Sequence, residues 1–379
     1  MNQKVAKYPK VMHIVSGLHV GGAEMMLYRL LSHSRIQNTL VVSLNSHGEL
    51  TKQIRQIGID VIELDRGSLF STLKQLNVLI DQYHPTVLQS WLYRADLLAA
   101  LAGWRKKVPV VWNVRQTEVG WVNSQAHIWW VQRLNAVLSR FLPKKIVYCA
   151  QAAKESHHAI GYASRKAEVI GNGIDIEKFT FHESVRRSQR QEWNIYNNDI
   201  LIGMVGRFDP LKNHARFFRI FKQVTDLYSK GNIKGVLIGR GINAQNNELM
   251  QDLGRYGLSE KIILIDELTD VVPAYSAMDI HLLTSDNEGW PNVLAEAMSM
   301  GLPCVCTDVG DAKKILYDVT AAISINSEKQ FSEKVIEYIK LSVNERWKLA
   351  KMNREKIQKK SSLQSTVDRY DDLYLNLKQ

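Results

Sequence analysis

Ser285-Asp286-Asn287-Glu288-Gly289-Trp290-Pro291-Asn292-Val293-Leu294-Ala295-Glu296 is the stretch from which the rest of the chain is read. The residues before it, Asp279-Ile280-His281-Leu282-Leu283, read as a buried strand with an acidic lead-in. A short polar loop carries Glu288, and Gly289 and Pro291 enforce the turn. Asn292 is placed to cap a helix running through Val293, Leu294, Ala297 and Met298 to Gly301, with Pro303 beyond. Backbone N–H groups at such a helix start, at Asn292 and Val293, favour a phosphate. Two carboxylates lie within reach of whatever binds there, Glu288 on the loop and Glu296 one turn into the helix. Apolar neighbours imply partial burial of Glu296, and a buried carboxylate needs a partner such as ribose hydroxyls. The plain alternative leaves Glu288 solvated and Glu296 bonded to a neighbouring loop.

Outward from this stretch, strand and helix alternate. Before it come Ile200–Val205, Val236–Gly239 and Ile262–Ile265, and after it Cys304–Thr307. The first of these leads into Gly206-Arg207-Phe208-Asp209-Pro210-Leu211-Lys212-Asn213-His214, a loop with two cations where a pyrophosphate would sit. In the first half, strands are expected at Val11–Val15, Thr39–Leu44, Val61–Leu64, Val87–Gln89, Val110–Asn113 and Lys145–Tyr148. Helices are expected near Met25–Leu31, Leu50–Ile57, Leu73–Tyr83, Ala95–Trp104 and Gln125–Phe141. This alternation predicts doubly wound parallel sheets, which bind ligands beyond the carboxyl ends of their strands. A glycine turn, Gly21-Gly22-Ala23-Glu24, follows the first strand. Arg94, Asp96 and Arg115 fall at other such ends, with a helix-capping role for Asp96 as the alternative. The polar run Ser184 to Asn198 reads as an exposed connector.

Ser285-x-x-Glu288-Gly289-x-Pro291-Asn292-x-x-x-Glu296-Ala297-Met298, with Glu-x7-Glu inside it, resembles the signature of the retaining, two-domain (GT-B) glycosyltransferases of family 4, glycosyl transferases group 1. The resemblance implies an α/β GT-B fold, two Rossmann-like doubly wound parallel-sheet domains facing a cleft. It places an acceptor-side domain at residues 1–170 and a nucleotide-sugar domain at 171–360. A helix in 361–379 would cross back to the first. In that family the first Glu, here Glu288, contacts the donor sugar and the second, here Glu296, the nucleotide ribose. Gly206-Arg207 and Lys212-Asn213 match the diphosphate clamp, Gly21 and Gly22 the loop against the diphosphate, and Glu267 and Leu268 the base-contacting loop. Catalytic duty is thus expected of Glu288, Arg207 and Lys212. Many relatives carry a His after the strand matching Val110–Asn113, where this chain has Asn113 and Arg115. Arg115 stays protonated and is a poor general base, so acceptor binding is the role open to it, beside Arg94 and Asp96.

A chain of 379 residues exceeds one ordinary core. No apolar run reaches the roughly 18 residues of a spanning helix, and the start Met1-Asn2-Gln3-Lys4 shows no signal segment. Cys304 and Cys306 without clustered His do not make a zinc site, and with Cys149 read as free buried thiols. Residues 1–170 carry 21 Lys and Arg against 10 Asp and Glu, and the remainder 28 against 28. All the excess positive charge, +11, therefore lies in the first half. That asymmetry points to an anionic partner for residues 1–170, be it a membrane surface, a phosphorylated acceptor or nucleic acid, and of these a membrane surface is expected and nucleic acid is not. Gly103 to Val108 and the segment from Trp129 to Lys145 combine Trp with basic residues and suit an interface with anionic lipid. The alternative turns Ile128, Val131, Leu134, Val137 and Leu138 to the core.

Asp-x-Asp occurs nowhere, so no metal and no cofactor is expected, and the donor is a substrate. The reading is a retaining, metal-independent transferase moving a hexose-type sugar from a UDP-linked donor to a lipid-linked or phosphorylated saccharide. Its place would be cell-surface polysaccharide assembly, in the cytoplasm at the inner membrane face. The alternatives are a sugar-nucleotide epimerase or hydrolase on the same fold, and a basic, non-catalytic membrane or nucleic-acid adaptor.

Overall fold

A computed structural model describes residues 8–65, 67–117, 119 and 126–377. Met1–Lys4 and Gln125, which entered the sequence reading, lie outside the described residues. Two compact units emerge, one made of the chain up to Gly173 together with Leu363 onward, the other of Ile174–Ser362.

The first unit contains β1 (Val11–Val15), β2 (Thr39–Ser43), β3 (Asp60–Glu63), β4 (Val87–Trp91), β5 (Val110–Val114), β6 (Lys145–Tyr148) and β7 (Ala167–Val169). They form one sheet in the order β3-β2-β1-β4-β5-β6-β7, and every pairing is parallel. All residues of β1, β2, β4 and β5 are buried, as strands covered by helices on both faces must be. β7, three half-buried residues at the edge, has no pattern long enough to announce it in the sequence. The helix Leu363–Leu377 completes this unit. Its Tyr370 and Tyr374 are buried in the core. Its Asp371 accepts from Ser34 Oγ at 2.5 Å and from the Arg35 amide at 3.0 Å.

The second unit contains β8 (Ile200–Val205), β9 (Ile233–Ile238), β10 (Ile262–Ile265), β11 (Ile280–Leu283), β12 (Cys304–Thr307) and β13 (Ala322–Ile323). Their order is β10-β9-β8-β11-β12-β13, again parallel throughout. The helix His214–Leu227 shows why this sheet folds. Phe217, Phe218, Ile220, Phe221 and Val224 recur at helical spacing and are all buried. Cys149, Cys304 and Cys306 are buried and form no disulfide.

Three expectations are corrected. The run Ser184 to Asn198 is no connector, because Glu183–Glu192 is a helix. Arg186 and Arg190, one turn apart, face inward and share the Asp279 carboxylate, at 2.7 and 3.2 Å. They also satisfy the carbonyls of Ser276, Ala277 and Met278. Their polarity hid a buried partner 89 residues beyond Arg190. Asn292 does not cap its helix, since extended Pro291 occupies that place and Asn292 is the first helical residue. Finally, in the helix Ala126–Leu138, Leu134 and Val137 face outward, Ile128, Val131 and Leu138 are half-buried, and Gln132, Asn135 and Ala136 are the buried residues.

Asp279 also accepts from the Leu201 amide at 2.8 Å, so its carboxylate joins β8, β11 and the Glu183–Glu192 helix. Asp279→Ala leaves Arg190 buried without its anion and is expected to cost roughly 3 kcal/mol. Urea unfolding checks this, and a loss below about 1 kcal/mol, that of a surface pair, would contradict it.

Candidate active site

In the second unit the strand order reverses between β8 and β11, so the turns leaving these two strands lie side by side at their carboxyl ends. The turn after β8 is shaped by its own side chains. Asp209 Oδ1 accepts from the Leu211 amide at 2.9 Å and starts a single 3-10 turn, Pro210–Lys212. Asn213, left-handed at φ 51°, caps the following helix through the Arg216 amide at 2.9 Å. The turn after β11 is fastened to it. The Asp286 amide donates to the Leu211 carbonyl at 2.8 Å, and the Thr284 hydroxyl donates to the Lys212 carbonyl at 3.1 Å. Arg216 bonds the Thr284 carbonyl at 2.7 Å and the Asp286 carboxylate at 2.6 Å.

This stitching carries Lys212 Nζ to 2.6 Å from Glu288 Oε1, which also accepts from Ser285 Oγ at 2.7 Å. Both side chains of the pair are largely buried. Beneath them runs the turn after β12, where Gly310 has φ 55° and an added Cβ would lie 2.2 Å from the Glu288 carbonyl oxygen. Only glycine allows that approach. Arg207, more exposed, donates to Asp209 Oδ2 through Nε at 2.9 Å and Nη2 at 2.7 Å. Burial pushes the Asp209 carboxyl up, but Arg207 and the Leu211 amide outweigh it and hold it below its ordinary range. Each expected phosphate-binding cation thus already has a carboxylate.

Glu296 is buried in the helix Asn292–Ser299, opened by Asn292 and Val293, and accepts from Tyr275 Oη at 3.2 Å. Burial first, then the Glu296 charge, raises that phenol well above its ordinary value. Glu267 and Leu268 follow β10. Glu267 is exposed and 3.5 Å from Arg240, whereas Leu268 packs against the core. Asp266 ties this turn to the one after β9, accepting from the Gly241 amide at 3.1 Å and the Glu267 amide at 2.8 Å. The sequence reading missed Ser285, Thr284, Asp286 and Tyr275. Ser285 stands within the quoted signature, but nothing local ties Tyr275 to a carboxylate 21 residues away.

In the first unit, Gly21 and Gly22 start the helix Gly22–His33, and an added Cβ on Gly21 would meet Glu24 Oε2 at 2.5 Å. Burial raises the Glu24 carboxyl, against the pull of its own amide and of His19 and Arg115. Arg115 is engaged within the unit, with Nη2 on Asn172 Oδ1, Nη1 3.3 Å from Tyr370 Oη, and its guanidinium 5.6 Å from the Trp91 ring. Arg94 lies half-buried, 3.5 Å from the Gly67 carbonyl. Asp96 is corrected on both counts. It is fully buried and accepts from Ser90 Oγ at 2.6 Å, so it neither caps its helix nor offers a surface to an acceptor.

Two family models together span most of the sequence. "Glycosyltransferase Family 4" matches residues 20–178 and "Glycosyl transferases group 1" residues 185–359. Over 97% of both chains the protein is 24% identical to the capsular polysaccharide biosynthesis glycosyltransferase CapM of Staphylococcus aureus. It is 27% identical to an Escherichia coli UDP-Gal:alpha-D-GlcNAc-diphosphoundecaprenol alpha-1,3-galactosyltransferase over 56% of this chain and 54% of that one. Anabaena HepE, solved in complex with UDP, superposes with a TM-score of 0.84 at 17% identity, covering 96% of this chain and 99% of its own.

Burial holds the Asp96 carboxyl well above its ordinary value of 3.8, against the Ser90 hydroxyl and the Asn113 amide. The folded protein therefore keeps this proton at pH values where the unfolded chain has lost it. Asp96→Asn should gain stability relative to the parent as pH rises above 3.8, by about 1.4 kcal/mol per pH unit until the buried carboxyl itself ionises. Unfolding free energies measured across pH would show the gap widening, and a constant gap would contradict a buried neutral acid.

Proposed function

We propose, from the premise that this chain belongs to glycosyltransferase family 4, glycosyl transferases group 1, that it moves a hexose from a UDP-sugar to a lipid-linked saccharide with retention of configuration. It is a glycosyltransferase of polysaccharide biosynthesis with a GT-B fold. The finer terms rest on the site and on its relatives. One relative is named for a UDP-sugar donor and a diphosphoundecaprenol acceptor, and one structural neighbour carries UDP.

The single observation that carries the reading is the contact of Lys212 with Glu288, a cation and an acid brought together from the turns after β8 and β11. With the donor bound, Lys212 and Arg207 exchange their carboxylates for the diphosphate. Opening the exposed Arg207–Asp209 pair costs little, about 0–1 kcal/mol. Glu288, released from Lys212 and still held by Ser285, accepts from hydroxyls of the sugar. Glu296 takes the ribose, and Gly21 and Gly22 bring backbone to the diphosphate. Glu267 and Leu268 border the base, and Arg94 and Arg115 remain for acceptor contact.

As the bond between the anomeric carbon and the diphosphate oxygen breaks, Lys212, Arg207 and the N–H groups at Asn292 and Val293 stabilise the charge left on the diphosphate. The acceptor oxygen bonds to the same face of the anomeric carbon, and its proton passes to a phosphate oxygen. No enzyme nucleophile and no metal takes part in this scheme, which would run in the cytoplasm at the inner membrane face.

Glu288→Gln should lower kcat by roughly 10²–10³ while leaving UDP affinity within about threefold. Lys212→Ala should weaken both UDP binding and kcat. Transfer measured with UDP-hexoses in EDTA should continue. Undiminished turnover of Glu288→Gln would sink the assignment. Melting-point screening of nucleoside diphosphates tests the base, UDP being expected to shift it most.

A further inference from the structure

The helix Ala126–Leu138 in the first unit buries polar side chains beside Ala136 and leaves large apolar ones in water. On its inner side Asn135 Nδ2 donates to the Tyr93 carbonyl at 2.9 Å, and Gln132 is buried beside it in sequence register. Ser139, just past its end, accepts from the Ala163 amide at 2.9 Å and is fully buried. On its outer side Trp130, Leu134 and Val137 are 63%, 46% and 59% exposed, and Phe141 in the turn after it is 73% exposed. Positions 130, 134 and 137 lie one above another on a helical face, and Phe141 continues the exposed stripe into the turn. An ordinary surface helix shows the opposite arrangement, because apolar area left in water is unfavourable.

The rim of this stripe is basic. Arg133 and Arg140 are exposed along it, and Arg133 lies 5.3 Å over the Trp129 ring. Lys166 donates to the Arg140 carbonyl at 2.9 Å. Burial and the neighbouring Lys144 charge lower the Lys166 amine. Lys144 donates its amide to Val110, which begins β5, the strand that follows exposed Trp104, Arg105 and Lys107. From residue 97 to residue 154 the sequence holds nine Lys and Arg and a single acid, Glu118.

We propose that this outward face, Trp130, Leu134, Val137 and Phe141 rimmed by Arg133 and Arg140, docks the protein on an anionic lipid bilayer. Apolar side chains of this kind enter the interfacial region, Trp prefers that depth, and basic residues beside them meet lipid phosphates. A second copy of the chain is disfavoured as the occupant. A two-fold contact would set the Arg133–Arg140 rim against its own image, in a stretch that offers one acid for nine Lys and Arg. The inference rests on the proposed lipid-linked acceptor for its purpose and on this helix for its geometry.

Full-length protein is sedimented with vesicles of mixed phosphatidylglycerol and phosphatidylcholine, without donor or acceptor. It should pellet with them, and bind pure phosphatidylcholine vesicles about tenfold less. Trp130→Ser with Phe141→Ser should lower binding about tenfold, with an unchanged melting temperature. Arg133→Gln with Arg140→Gln should lower it similarly and remove most of its salt dependence. Transfer to a soluble saccharide acceptor should be unaffected in both variants. Parent protein staying in the supernatant overturns the inference, as do variants that pellet like the parent. So does a lipid-free dimer, seen by equilibrium sedimentation, that the Trp130→Ser/Phe141→Ser change dissociates. Failure to bind vesicles with transfer intact removes docking alone, whereas vesicle binding with no transfer to any acceptor supports docking and removes the transferase reading.

Discussion

Everything at the candidate site depends on one constraint, the fastening of two turns that leave neighbouring parallel strands. Parallel strands at a switch point send their chains off in opposite directions, and the gap opened between the two departures is where a ligand fits. In the second unit that gap is bridged by side-chain and backbone bonds from Thr284, Asp286, Asn213 and Arg216. A floppy gap could not keep Lys212 within 2.6 Å of Glu288. Most of these bonds are made by groups other than Lys212 and Glu288, so the pair is held without spending its own charge.

The resting pairings have an electrostatic sense. Two unpaired cations on one turn would repel each other and be strongly hydrated. Lys212 pairs with Glu288 and Arg207 with Asp209, so each cation is met by a carboxylate. In the proposed transfer, the carboxylate that quiets Lys212 is the one freed to accept from sugar hydroxyls.

What could be read from the sequence follows from range. The strands before and after the Glu288 turn, the helix through Phe217 and Phe221, and the alternation that makes both sheets parallel are signals carried by neighbours a few residues apart. The motif around Glu288 and the cations of the preceding turn were visible for the same reason. The helix Glu183–Glu192 was not, because Arg186 and Arg190 look solvated until Asp279 is placed beneath them. Asp96 misled through its position at a strand end, where only the fold reveals that it points into the core. The direction of the helix Ala126–Leu138 was undecidable, since its sequence is apolar on one side and its inward partners, the Tyr93 carbonyl and the Ala163 amide, lie far along the chain.

The Leu363–Leu377 helix has a consequence for how the protein is made. Tyr370 and Tyr374 fill the interior of a unit whose sheet precedes them by about two hundred positions or more, and Asp371 clasps Ser34 at a separation of 337. On the ribosome the amino-terminal sheet emerges first, yet its last wall is translated after the whole of Ile174–Ser362. The unit born earliest is therefore finished latest, waiting with an open flank while its younger companion can already close.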